Sequence, residues 1–302
     1  VKKISILLLG ITLVLLAACG SEGSNGSEGS DDGASSGDAS KLEELQESGT
    51  VTVGFANEKP YAYEEGGELK GAAVDIATAV FAELGVDNVE SQLADFAQLI
   101  PGVQAGQFDV VTAGMAIQPD RCENALFGEP EMQYGEGLVV QSGNPHGIAS
   151  YKDIADNPDI TVVVMEGATE IGFLESEGVD PGQITTAPDI ASTFSAIQSG
   201  RADATTGTEM TVRMAFESFD SDAIEIVESF EQPDIEGVPS YGAAAFSLDN
   251  EELRDAYNEK LAELKENGTV EELLEENGFS AESNTVATDG VTTEQVCSGE
   301  EF

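Results

Sequence analysis

From Lys41 onward the chain alternates short apolar runs with stretches of helical period, a rhythm that few folds can accommodate. "TVTVGF" (50–55), "VESQLA" (89–94) and "FDVVTAGMA" (108–116) read as strands, with helices expected over 70–85 and 96–107. In the first helix Val74, Ile76, Val80, Phe81 and Leu84 recur near helical spacing, and Gly85 stops it. The break "SGNPH" (142–146) reads as a crossing between two halves of the molecule. A second set follows, with strands over 159–167, 183–187 and 202–208 and helices over 169–178 and 190–201. A return strand (240–250) and two helices split at Gly268 (250–278) close the pattern. The alternation predicts an α/β fold. The two sets look alike in plan without a shared sequence repeat.

Ahead of this region, Lys2 and Lys3 precede an uncharged apolar run, Ile4 to Ala18. That run is short of the roughly 20 residues a bilayer span needs, and it has the layout of a secretory signal. Leu16-Ala17-Ala18-Cys19 resembles a bacterial lipobox, so residues 1–18 are expected to be removed and Cys19 to carry lipid. A cut elsewhere or an uncleaved anchor is the alternative. The rest of 19–40 is almost entirely Gly, Ser and acid; it cannot bury enough apolar surface to order itself and reads as a flexible tether. Asp31-Asp32 matches the spacing of no calcium loop.

Charge narrows the function. Twelve Lys and Arg face 58 Asp and Glu, a net charge of −46, so no basic patch exists for nucleic acid. Such a surface either draws cationic ligands or suits strong brine, where the Debye length shrinks to about 3 Å at 1 M; brine is the reading taken here. With one histidine, His146, placed in the expected crossing, no Ser/His/Asp set or multi-His metal site can be assembled. No phosphate-binding GxxxxGK[ST] loop or GxSxG elbow occurs. No cofactor and no metal are expected.

"TVTVGFANEKPYAY", "DFAQLIPGVQAGQFDVVTAGMAIQPDRCENALFGEP", "MEGATE", "SGRADATTGT" and "YNEKLAELKENGTVEELLEENG" resemble, in order, the landmarks of the family 3 extracellular solute-binding proteins. The resemblance runs from Leu42 to Gly278 and implies a two-lobed type II periplasmic-binding-protein fold with a two-segment hinge. Lobe 1 is then expected over residues 41–141 and 242–302, and lobe 2 over 142–241. It also implies a monomer that captures a small zwitterionic solute and passes it to the membrane subunits of an ABC importer. Contact with the membrane would be through the lipid alone.

Residue roles follow from the same resemblance. Arg121, behind the turn "QPDR", would grip a ligand carboxylate, for which a planar guanidinium is suited. Backbone N–H groups near Ala116 and Thr169 would add donors, one from each lobe. Glu58 would face the ligand's positive end, with Tyr61 and Phe96 as aromatic walls offering cation–π attraction of about 0.5–2 kcal/mol. Thr208 stands where α-amino-acid receptors usually carry an aspartate, so a primary ammonium would be poorly matched. Within the family the resemblance is strongest to receptors of ectoine and hydroxyectoine. Their third cage aromatic falls at Ala116, which cannot stack. A polar amino-acid receptor is the alternative; a dehydratase of the cyclohexadienyl type is the enzymatic one, with Glu58 as base and no acid partner in sight.

Once Cys19 is lipidated, Cys122 and Cys297 are the two cysteines left, and outside the cell such a pair is expected to bridge. The bridge would pin the acidic tail to the lobe carrying the arginine turn.

Overall fold

The computed structural model describes residues 39–299 apart from Asp220; the signal, Cys19 and the tether up to Asp38 lie outside the described residues. The described residues open with α1 (Lys41–Ser48), capped reciprocally by Ser40 and Glu43, and β1 (Thr50–Phe55). A small hairpin follows, β2 (Tyr63–Glu65) and β3 (Glu68–Lys70), then α2 (Ala72–Glu83), β4 (Asn88–Leu93), α3 (Leu99–Gln104) and β5 (Val110–Ala116). The arginine turn forms α4 (Pro119–Cys122), before β6 (Leu126–Phe127), β7 (Met132–Tyr134) and β8 (Glu136–Gln141). Next come α5 (Tyr151–Ala155), β9 (Val162–Met165), α6 (Glu170–Ser176), β10 (Ile184–Ala187), α7 (Ile190–Gln198), β11 (Ala204–Thr208), α8 (Glu209–Ser218) and β12 (Ile224–Ile226). The described residues end with β13 (Ser240–Phe246), α9 (Glu251–Glu266), α10 (Thr269–Glu276), α11 (Ala281–Asn284) and α12 (Thr293–Ser298).

Two sheets share one plan. The first runs β4-β1-β5-β13-β6, with β7 also on β13; the second runs β10-β9-β11-β8-β12. In each, three parallel strands meet one antiparallel strand that arrives from the other sheet: β13 pairs β5, and β8 pairs β11. Strands buried on both faces read as unbroken small and apolar runs, as in β5 and β13, where every residue is buried. The first sheet sits between a cluster with α2, α9 and α10 (Phe81, Tyr257, Leu261, Leu274) and one with α3 and α12 (Leu99, Phe108, Val296). The second is likewise covered on both faces, by the clusters around Leu174 and around Phe194.

The crossing between lobes differs from the expected one. Residues 136–141 belong to the second sheet, so the chain passes between sheets at Gly135 and not at 142–146. "SGNPH" is instead a loop of the second lobe, where His146 Nε2 lies 3.5 Å from an Asp203 carboxylate oxygen. The other crossing is the segment between β12 and β13. The two crossings are tied together: the Gln232 side chain accepts from the Glu136 N–H and donates to its carbonyl, both at 2.7 Å. Gly135 makes room for this, since a Cβ there would lie 2.7 Å from the Gln232 amide oxygen.

Cys122 and Cys297 are bonded, with Cα atoms 5.8 Å apart. The segment so held is not a loose tail. It forms α12, with a capping box between Thr292 and Gln295, and Thr293 donates from its hydroxyl to the Gly128 carbonyl. No described helix is long and apolar enough to cross a membrane.

Candidate functional site

In open α/β sheets ligands collect beyond the carboxyl ends of parallel strands, and both sheets point those ends at one chamber. Glu58 and Tyr61 follow β1, Phe96 follows β4, Ala116 ends β5, Thr169 follows β9 and Thr208 ends β11. Together with Arg121 on α4, all seven line the same chamber between the lobes. Its volume is about 30 Å³, room for about two waters and far below the roughly 300 Å³ of an ordinary small-molecule site. The two lobes therefore meet closely around it.

Arg121 is buried, and among the described residues it forms no ion pair. Its guanidinium donates to the Ala116 carbonyl (2.8 Å) and, across the cleft, to the Gly167 carbonyl (2.9 Å). Its Cζ stands 5.4 Å from the Phe96 ring centroid, a cation–π contact. Burial lowers the Arg121 pKa, opposed by nearby Tyr134, Asp120, Glu170 and Glu58, yet a guanidinium stays charged. The lobes approach closely beside it: a Cβ on Gly167 would lie 3.0 Å from the Ala97 backbone.

A chain of hydroxyls closes the opposite side. Tyr61 donates to Thr208 (2.9 Å), Thr208 to Thr211 (3.0 Å), and Thr211 to a Glu58 carboxylate oxygen (2.7 Å). Tyr61 and Glu58 belong to the first lobe and both threonines to the second, so the relay crosses the cleft twice. Burial pushes Glu58 up to about 7, with the Thr211 hydroxyl pulling against it and Glu170 reinforcing it. The Tyr61 ring meets Tyr134 and Phe279 edge to face, each at 5.3 Å between centroids. It fits because Gly114, at φ +58°, has no side chain; a Cβ there would lie 2.3 Å from the ring.

Three contributors were not expected from sequence. Tyr134 lines the chamber and donates to the Gly114 carbonyl at 2.6 Å. Glu170, 3 % exposed at the start of α6, brings a second carboxylate. Burial raises its pKa, against its own backbone N–H and the Glu136 carboxyl. Thr211 completes the relay. In sequence Tyr134 reads as a core aromatic, Glu170 as an ordinary acid in a first helical turn, and Thr211 as one more helix residue. The available signal was position: Glu170 directly follows Thr169, and Thr211 lies one turn past Thr208.

Residues 51–279 match the bacterial extracellular solute-binding proteins, family 3. The chain belongs to that family. A probable amino-acid ABC transporter periplasmic-binding protein of Sinorhizobium fredii is 37 % identical over 262 residues, 85 % of this chain and 86 % of the relative. The arginine-binding extracellular protein ArtP of Bacillus subtilis is 29 % identical over 219 residues, 72 % of this chain and 81 % of the relative. Among solved structures, EhuB in complex with hydroxyectoine superposes with a TM-score of 0.77 at 34 % identity, covering 85 % of this chain and 97 % of that one. The fold is thus the two-lobed type II arrangement of the family, and the chamber lies in its interlobe cleft.

Proposed function

We propose that the protein captures a small zwitterionic solute, of the ectoine or hydroxyectoine kind, outside the cytoplasmic membrane and delivers it unchanged to the membrane subunits of an ABC importer. One observation carries this reading. A buried guanidinium, without an ion-pair partner among the described residues, faces two buried carboxyl groups, Glu58 and Glu170, across one small chamber. A ligand with a carboxylate at one end and a positive group at the other matches both ends at once. Tyr61, Phe96 and Tyr134 supply ring surface for a delocalised cation, and Tyr134 stands in for the aromatic that Ala116 does not provide. Thr208, occupied in the hydroxyl relay, offers no charge to a primary ammonium. Cleavage before Cys19 would tether the protein by lipid.

A receptor for polar amino acids is the second reading. It is favoured by Glu170, which supplies in the second lobe the negative charge that Thr208 lacks, and by the relatives named for amino acids. Calorimetric titration of the soluble domain with ectoine, hydroxyectoine, arginine and glutamine separates the two. Binding of ectoine or hydroxyectoine with recovery of the intact solute is expected. Tight binding of an amino acid alone would favour the second reading, and steady conversion of the solute would contradict both.

A further inference from the structure

Glu136 is the first residue past the Gly135 crossing, and its side chain is sealed behind the chamber at 1 % exposure. Among the described residues no lysine or arginine offsets its charge. Its backbone N–H and carbonyl are both taken by Gln232. The donors around its carboxyl are already committed. Thr206 donates to the Gly137 carbonyl (2.8 Å), and the Tyr151 and Thr206 hydroxyls are 2.5 Å apart, so the Tyr151 proton points to Thr206. The remaining Tyr151–Glu136 approach is long, 3.4 Å, and among the described residues Glu136 Oε1 has no donor. What lies within hydrogen-bond reach is the Glu170 carboxyl. Two ionised carboxylates cannot share such a space; one proton is required between them. Glu170 is the better anion, because its own backbone N–H, the Thr169 hydroxyl and Arg121 all favour its ionised form.

We propose that Glu136 is a neutral acid and a positioning residue: it donates its proton to the Glu170 carboxylate and holds that carboxylate toward the chamber. Glu170 then accepts N–H groups from the positive end of the solute, opposite Glu58. This rests on the solute-binding reading and deepens it, since specificity for a cationic N–H group then depends on a residue that never touches ligand. Burial raises the Glu136 pKa well above the ordinary carboxylate range, with Glu170 adding to it. The charged or titratable groups around the pair are Tyr151 on α5, Arg121 on α4, Tyr134 on β7, and Glu58 and Tyr61 beyond β1. None supplies the missing donor to Glu136 Oε1.

Two measurements on the soluble domain test this. Carboxyl-carbon NMR of the wild-type protein, with the Glu136 signal assigned through bonds, reads the proton without any ligand. Glu136 is expected to remain protonated above about pH 7; ionisation in the ordinary range near pH 4–5 would overturn the proposal. Hydroxyectoine titrations from about pH 6 to about pH 10 then compare wild type, Glu136→Gln and Glu136→Leu. The amide of Gln can donate as the acid does, so affinity should stay within about threefold of wild type and lose its alkaline fall. Leu cannot donate and should weaken binding by about tenfold or more. Gln as weak as Leu would overturn the proposal. If wild type does not bind hydroxyectoine, the solute reading fails, while the NMR result still decides the state of Glu136.

Discussion

The two faces of the cleft are built from different chemistry. The first lobe presents rings, a guanidinium and the Glu58 carboxyl, the rings held by their own neighbours: Tyr61 lies between Tyr134 and Phe279, and Phe96 lies against Arg121. Behind them, the disulfide holds α12 against α4, the helix that carries Arg121. The second lobe presents hydroxyls, a carboxylate and a carbonyl: Thr208, Thr211, Glu170 and Gly167. These meet the first lobe across the cleft. One face thus sets shape at little ordering cost, and the other adds polar contacts that depend on closure. A solute that satisfies both faces favours the closed form by its contacts to both.

The largest effect should come from removing the brace that the first lobe has and the second lacks. The disulfide closes a loop of sequence separation 175, which the chain-entropy relation values at about 5 kcal/mol. Replacing Cys122 and Cys297 by serine should lower unfolding stability by several kcal/mol. In hydrogen exchange, protection should fall around α4 and α12 while β9 and β11 keep theirs. Equal losses in both lobes would break the contrast.

Next is the fixed charge. Arg121→Ala removes two charge-assisted hydrogen bonds and the carboxylate partner, so solute affinity should fall by about a hundredfold or more. Arg121→Lys keeps the charge but loses the fork, and about a tenfold loss is expected by titration. Unchanged affinity in both would confine Arg121 to a structural role.

Glu58→Gln should cost about tenfold for a solute with a cationic end, and pH sharpens the point. With Glu58 held up at about 7, wild-type affinity should strengthen as pH rises through about 7, and Gln should flatten that limb. Stability moves the other way. A raised carboxyl pKa means the folded state binds the extra proton, so this contribution is full below the ordinary value of 4.5 and is lost as pH rises through about 7. A wild-type affinity that is flat from about pH 5 to about pH 8 would contradict the role of Glu58.

The smallest effect belongs to Tyr134→Phe. It keeps the ring wall and deletes one hydroxyl bond to Gly114 within the first lobe, so unfolding stability should fall by about 1 kcal/mol while solute affinity changes by less than about twofold. Tyr134→Leu should cost more; equal losses would mean the ring does not serve as a wall.

Much of this architecture was legible before any coordinates. The strands at 50–55, 108–116 and 240–250 and the helices split at Gly268 announce themselves through periodicity and glycine stops, which are local signals. The first crossing is hidden in the sequence because β7, Gly135 and β8 form one extended run, "MQYGEGLVVQ", with nothing local to mark a change of sheet. A glycine accommodating the Gln232 amide is a tertiary fact. The pairing of Cys122 with Cys297 needed only a count and a compartment. Glu136 could not have been singled out, since its state depends on which hydroxyls around it have already spent their protons.

On the proposed reading, the cleft prefers a zwitterion with a delocalised cation over an α-amino acid. Equilibrium dialysis of the soluble domain against an equimolar mixture of hydroxyectoine, ectoine, arginine and glutamine, with mass spectrometry of the retained solute, tests it most directly. Hydroxyectoine or ectoine should be enriched by about tenfold or more over either amino acid. Retention of arginine or glutamine with both ectoines left in the dialysate would contradict it.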